Sequence, residues 1–203
     1  MSAVYSFASL YLLVLCRDMT NEEQLAPVRH TLAHLLAAAI KELFPEAKPT
    51  IGPAIDNGFY YDFDFSATVT PSLDNLAKIE EKMRELLPQW TAFSHEEVTA
   101  DVARAAFAGN DYKIELIDQL EKDGATITLY TCGGFTDLCR GGHSEHPATE
   151  IPADSFKLDK VAGAYWRGDE TKAMLTRIYG LSFADKSELD AYITQREEAI
   201  KRD

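Results

Sequence analysis

The chain has too little cysteine for a disulfide-braced fold. Three cysteines among 203 residues, Cys16, Cys132 and Cys139, are few and odd in number, so a reducing cytoplasmic setting is expected and the thiols stay available for chemistry. Glycine and proline, 11 and 8 residues, are too sparse for collagen or low-complexity disorder. No apolar run reaches the roughly 20 residues a membrane-spanning helix needs, so no membrane partner is expected. Base is scarcer than acid, 20 Lys and Arg against 33 Asp and Glu, net −13, which argues against coating nucleic acid by charge alone. The bases divide evenly, ten in 1–138 and ten in 139–203, whereas 21 of the acids fall in the first part. Any RNA contact is therefore expected near the later segment or in a local pocket. What remains is a globular composition, 46% apolar and 26% charged, sufficient for one generous domain.

Residues 1–16 carry no charged side chain. The stretch resembles a secretory h-region but has no basic lead, and Met19 opens a polar start. Residues 1–19 are therefore expected to be a tail or an upstream-start extension, with residues 20–203 as the domain; a signal peptide is the alternative.

Thr20 and Glu23 form a capping box, and Val28, Leu32, Leu35, Leu36, Ile40 and Leu43 follow at helical spacing, ending before Pro45. Thr50–Ile55 and Phe59–Phe65 read as a hairpin around Asn57-Gly58, with Phe59, Tyr61, Phe63 and Phe65 on one face. A second helix runs from Thr70-Pro71 to Pro88, and a strand over Phe93–Val98 precedes a short helix capped by Thr99. Tyr112–Leu120 reads as helix, Ala125–Tyr130 as strand and Thr131–His146 as a glycine-broken loop. Phe156–Phe183 reads as strands with turns at Arg167-Gly168-Asp169 and Gly180, and Ser187–Asp203 as a last helix. That helix ends without a C-cap glycine, which suggests a piece of something longer. The fold class is α+β, one domain with a mostly antiparallel sheet packed against helices.

Chemistry concentrates at two spacings. His30 and His34 form H-x3-H on the first helix, about 40° apart by the helical repeat. His143 closes a C-x3-H with Cys139. Leu32, Leu35, Leu36 and Leu43 lie about 140° to 240° from His30, so the histidines sit off the leucine stripe, beside the small residues Ala33, Ala37 and Ala38. Taken alone, the pair could be an ordinary solvated face. Together, His30, His34, Cys139 and His143 are also possible zinc ligands, although no C-x2-C is present and Thr31 stands where an H-E-x-x-H protease has its glutamate. The same side chains can work without metal as general acid and base. No G-x4-G-K phosphate loop is present.

The residues His30–His34, Ile51–Asp62, Asp137-Leu138-Cys139-Arg140-Gly141-Gly142-His143 and Ala162–Gly168 resemble, in order, the editing domain of bacterial threonyl-tRNA synthetases, from about Val28 onward. The H-x3-H and C-x3-H skeleton alone is shared with alanyl-type editing domains. The resemblance implies the threonyl/alanyl editing-domain fold and hydrolysis of seryl-tRNA(Thr). Such a second site is needed because one missing methyl is worth only about 1–3 kcal/mol of discrimination in the synthetic pocket.

By motif the resemblance carries catalytic roles to His30, His34, Lys113, Asp137, Cys139 and His143. His30 and Lys113 would position or deprotonate water, Lys113 or His34 would stabilise the oxyanion, and Asp137 would grip the substrate ammonium or orient an imidazole. Substrate contacts are expected from Ala33 and Ala37 as the wall of the amino-acid pocket, from Tyr60, Tyr61 and Tyr112 by stacking, and from Arg140 by a phosphate contact. No cofactor is required on this reading; zinc is the open alternative. The implied partners are the serine-bearing 3′ end of tRNA(Thr) and, for a fragment, the catalytic and anticodon-binding domains. The other readings are a zinc-dependent alanyl-type trans-editing deacylase and a non-catalytic tRNA-binding module.

Overall fold

The computed structural model describes residues 21–202; the tail expected over 1–19 and the Thr20 cap lie outside the described residues. In chain order the elements are helix α1 (Asn21–Leu43), strands β1 (Lys48–Pro49), β2 (Ala54–Ile55) and β3 (Gly58–Asp64), and helix α2 (Leu76–Leu86). There follow β4 (Ser94–Val98), helices α3 (Ala100–Ala106) and α4 (Asp111–Lys122), β5 (Ile127–Cys132), β6 (Phe135–Leu138) and the single turn α5 (Pro147–Glu150). Strands β7 (Phe156–Tyr165) and β8 (Met174–Ser182) and helix α6 (Lys186–Arg202) complete the described chain. The class is α+β. A five-stranded sheet runs β1-β3-β8-β7 with β2 also on β3, a three-stranded sheet runs β4-β5-β6, and every pairing is antiparallel.

Side-chain alternation makes β3 a core strand. Phe59, Tyr61, Phe63 and Phe65 are buried on one face and pack with α1 and α2 in a single cluster. The opposite face is polar but not bare, because Asp62 is buried beneath Arg177, which grips it through two hydrogen bonds of 2.7 and 2.8 Å. Asn57, at φ 61°, supplies the left-handed residue the β2–β3 turn needs.

Three expectations change. Helix α1 is not one-sided: every residue from Thr31 to Ile40 is buried, because sheet, α2 and the 139–144 loop cover it from different directions. The Thr131–His146 loop contains strand β6, joined to β5 through Gly133 and Gly134 at φ 54° and 82°, a two-glycine hairpin turn. Gly180 is no turn but lies inside β8, where a Cβ would come within 2.3 Å of the Phe59 ring; its small size admits that ring to the core.

The helix caps follow local chemistry. Thr99 Oγ1 accepts from Val102 N at the start of α3, and Asn110 Oδ1 accepts from Lys113 N at the start of α4. The second cap fixes the turn of α4 that carries Lys113. Among the described residues, no helix is long and apolar enough to cross a membrane.

Candidate active site

Three elements converge on the middle of α1. The helix presents His30 and His34 on one face, the loop after β6 brings Cys139 and His143, and α4 sends in Lys113. Thr31 ties loop to helix: its hydroxyl donates to Pro27 O at 2.9 Å and accepts from Ser144 N at 3.0 Å. The position that holds a glutamate in a metalloprotease is thus a fastener here.

The imidazoles and the thiol are in direct contact. His34 Nε2 lies 3.1 Å from His30 Nε2, and Cys139 Sγ lies 3.4 Å from His30 Nε2 and 3.3 Å from His143 Nε2. His30 Nδ1 is 3.3 Å from Gly142 O. A carbonyl can only accept, so the neutral His30 ring carries its proton on Nδ1 and turns the Nε2 lone pair towards His34. His143 stacks on Phe93, centroids 4.0 Å apart and planes at 12°, with Tyr130 4.8 Å away on an edge. These two aromatic walls were not anticipated from the sequence, where nothing local links residues 93 and 130 to a loop histidine.

Behind the histidines lies a buried charge network. Asp137 and Lys113, both 2% exposed, form an ion pair. His34 Nδ1 stands 3.0 Å from Asp137 Oδ2 but off the line of an aligned hydrogen bond, so their attraction is that of an ion pair. The Tyr61 hydroxyl donates to Asp137 Oδ2 at 2.6 Å and accepts from Lys113 Nζ at 3.2 Å. Burial raises the Tyr61 hydroxyl well above its ordinary value, and the Asp137 charge adds to this, which keeps it protonated and donating.

Electrostatics divide the protons. Burial pulls the His34 pKa down, but its contacts with Asp137 and Cys139 and their charges overcome this and lift it to about 9. Burial pushes the Cys139 thiol up, yet hydrogen bonding from His143 and His34 and the charge of His34 bring it down to about 3. Burial opposes ionisation of Asp137, and Lys113 and His34 still hold it well below the carboxylate range. Burial lowers His143 below its ordinary value. At neutral pH the site therefore contains a thiolate, an imidazolium and a carboxylate beside Lys113. This is a cluster of perturbed groups of the kind active sites use.

The expected substrate residues fare differently. Ala33 and Ala37 are fully buried in the hydrophobic core; the covering of α1 on all sides leaves them no open wall to form. Tyr60 lies on the far face of the sheet, where the Arg177 guanidinium sits 3.8 Å over its ring. Tyr112 donates to Asp64 at 3.1 Å and meets Trp166 edge-on, away from the histidines. Tyr61 reaches the site as a buried hydrogen-bonding group rather than a stacking surface; a tyrosine on an apolar strand face needs a hydroxyl partner, and that signal was legible. Arg140 is exposed next to Cys139.

His30, His34, Cys139 and His143 also form a possible metal-binding set, their donor atoms all within 4.8 Å of one another. By type the donors suit zinc. The short contacts of 3.1–3.4 Å are near the roughly 3.3–3.6 Å edges implied by zinc bonds of about 2.0–2.3 Å, while the widest separation would have to close.

Fold and cluster together define an α+β domain with a half-buried His/Cys cluster backed by a buried Lys–Asp pair. Comparison with known proteins narrows this. The chain is 52% identical over 185 residues to a threonine–tRNA ligase of Geobacter sp. (strain M21). It is 47% identical over 176 residues to one of Dehalococcoides mccartyi and 48% over 185 residues to one of Francisella philomiragia. The matches cover 90%, 87% and 90% of this chain and 28%, 29% and 28% of those relatives. The chain is a homologue of the threonine–tRNA ligases, of whose length it spans a little over a quarter. No family model matches it.

Proposed function

We propose that this chain hydrolyses the ester of serine mistakenly attached to threonine tRNA, as the editing unit over residues 20–203 of a threonyl-tRNA synthetase. The observation that carries the reading is the convergence of His30, His34, Cys139 and His143 with a buried Lys113–Asp137 pair. The threonine–tRNA ligase relatives supply the class of RNA. Cytoplasmic action alongside catalytic and anticodon-binding domains follows from this proposal.

Water attacks the carbonyl carbon of the ester, the ribose oxygen leaves with a proton, and free serine and uncharged tRNA result. His30 accepts the proton of the attacking water, because its Nε2 is the ring nitrogen without a proton of its own. His34 and Lys113 are cations close enough to favour the developing oxyanion. Asp137 is buried and occupied by His34, Lys113 and Tyr61, which supports orientation of an imidazole over a grip on the substrate ammonium. Cys139, as a thiolate, holds His34 charged.

In the zinc reading the four donors would hold the ion, which when bound supplies a Lewis acid and a more acidic water. One experiment separates the readings. Purified chain is given seryl-tRNA(Thr) and threonyl-tRNA(Thr), each with and without a chelator. Serine release that spares threonine and ignores the chelator is expected. Chelator-sensitive release transfers the site to zinc, and no release by folded protein leaves a tRNA-binding module.

A further inference from the structure

The loop that carries Cys139 and His143 is held at two points. At its start the Cys139 amide donates to Thr128 O of β5 at 3.2 Å, and just past His143 the Ser144 amide donates to Thr31 Oγ1 of α1 at 3.0 Å. Between these holds Gly141 and Gly142 sit at φ 90° and 83°, in the left-handed region that reverses the chain. The Gly142 carbonyl is thereby turned to His30 Nδ1, 3.3 Å away.

Hydrogen bonding leaves the second hold one arrangement. Thr31 is fully buried, and its single hydroxyl proton goes to Pro27 O, four residues back, at 2.9 Å, as a helical threonine allows. Its oxygen can then only accept, and the Ser144 N–H is the donor it meets. Ser144 is buried as well, and its own hydroxyl is engaged by Glu150, so the amide is the link to α1. The peptide plane between His143 and Ser144 is therefore set by the residue next to His30.

Resting on the ester-hydrolase reading, we infer that Thr31 is a positioning residue: by fixing the His143–Ser144 peptide it keeps the Gly142 carbonyl on His30 Nδ1, and so keeps the His30 proton off the nitrogen that takes one from water. Buried as it is, Thr31 acts through His30 and the loop and not on the ester.

The test sets a hydroxyl against a methyl. Thr31→Val keeps the shape of the side chain and loses both hydrogen bonds, whereas Thr31→Ser keeps the hydroxyl and loses a buried methyl. On seryl-tRNA(Thr), Thr31→Val is expected to lower kcat about 10- to 100-fold, the effect of a misplacement of about 1 Å, with KM within about twofold. Thr31→Ser is expected to keep kcat within about threefold. A role in packing alone reverses that order, and reversed order, equal losses or a change confined to KM overturns the inference. Nitrogen-15 NMR in metal-free buffer reads the tautomer without hydrolysis. Neutral His30 should carry its proton on Nδ1 in the unaltered chain and in Thr31→Ser, and should lose that preference in Thr31→Val. A His30 ring unchanged in Thr31→Val overturns the inference even where kcat falls. Should Thr31→Val fail to fold, the unaltered chain still decides: its Ser144 amide is expected to resist deuterium exchange as the amides of α1 do, and free exchange sinks the tether. A tautomer that follows the hydroxyl, with no serine released by any variant, leaves the positioning role standing and removes the hydrolase reading.

Discussion

The hairpin β5–β6 carries a cysteine at each end, and the two thiols live under opposite physics. Cys132, at the turn, is 2% exposed and packs in the apolar cluster with Trp90; burial raises it to about 11, despite some help to the thiolate from backbone amides. Cys139, seven residues on, meets three imidazoles and falls to about 3. Residue type is the same and burial acts in the same direction at both. What differs is whether hydrogen-bond donors and a cation face the sulfur, so the difference between a packing thiol and a chemical one is a matter of neighbours.

The sharpest way to break the comparison is to remove the cation behind the reactive end. Lys113→Met leaves Asp137 buried beside His34 and Tyr61 with one positive partner gone. Truncating one member of a buried pair costs about 3–5 kcal/mol, which urea unfolding would read. A loss under about 1 kcal/mol would mean that Asp137 finds solvation without Lys113.

A second test uses pH. The folded protein keeps His34 charged up to about 9 and Cys139 ionised down to about 3, whereas the unfolded chain has ordinary values near 6.5 and 8.5. The raised histidine stabilises the fold below pH 6.5, and this contribution is lost as pH rises towards 9. The depressed thiol adds stability as pH rises, up to about 8.5. Between these limits the proton has only moved from sulfur to imidazole, the folded and unfolded states bind equal numbers, and the pair gives no slope. Cys139→Ala removes the compensation. Its stability should fall as pH rises above 6.5 relative to the unaltered protein, by up to about 1.4 kcal/mol per unit, until His34, now raised by Asp137 alone, loses its proton, measured as the difference between two melting series in metal-free buffer. Parallel series would show that the thiol and His34 do not share a proton.

Alkylation addresses the thiols directly. Iodoacetamide should modify Cys139 at a rate nearly independent of pH from 5 to 8, where an ordinary thiol accelerates about tenfold per unit below its pKa. Cys132 should stay unmodified in the folded protein over that range. Peptide mapping distinguishes the two, and a Cys139 rate that climbs tenfold per unit would contradict the thiolate.

Much of this contrast was hidden in the sequence. Helices α1, α2 and α4 and the β2–β3 hairpin follow local rules, period 3.6, caps and Asn-Gly, and are legible one segment at a time. Strand β6 was obscured because Gly133-Gly134 reads equally as loop or as turn, and only its pairing with β5 decides. The two-sided burial of α1 could not be read from its leucine stripe, since the loop that covers the histidines arrives from over a hundred residues away. His30, His34, Cys139 and His143 stood out by spacing. Lys113 and Asp137 were reached only through resemblance, because an ion pair between a helix and a strand leaves no periodic trace, and the same blindness placed Tyr60 and Tyr112 near a site they do not touch.

The smallest expected effect is at the quiet end. Cys132→Ser replaces a weakly polar sulfur with a hydroxyl among Trp90 and its apolar neighbours, where desolvation of the new group costs about 1–2 kcal/mol unless it finds a partner. Strand β5 continues through the β5–β6 turn into the active end, so a disturbance could in principle travel along the hairpin. Four register pairs, Leu129↔Leu138 to Cys132↔Phe135, resist this, and Thr128 O holds Cys139 N beyond them. Cys132→Ser should therefore lower the melting temperature slightly and leave seryl-ester hydrolysis within twofold. A larger fall in rate with unchanged folding would mean that the two ends communicate, and that Cys132 helps set the position of Cys139 rather than merely filling space.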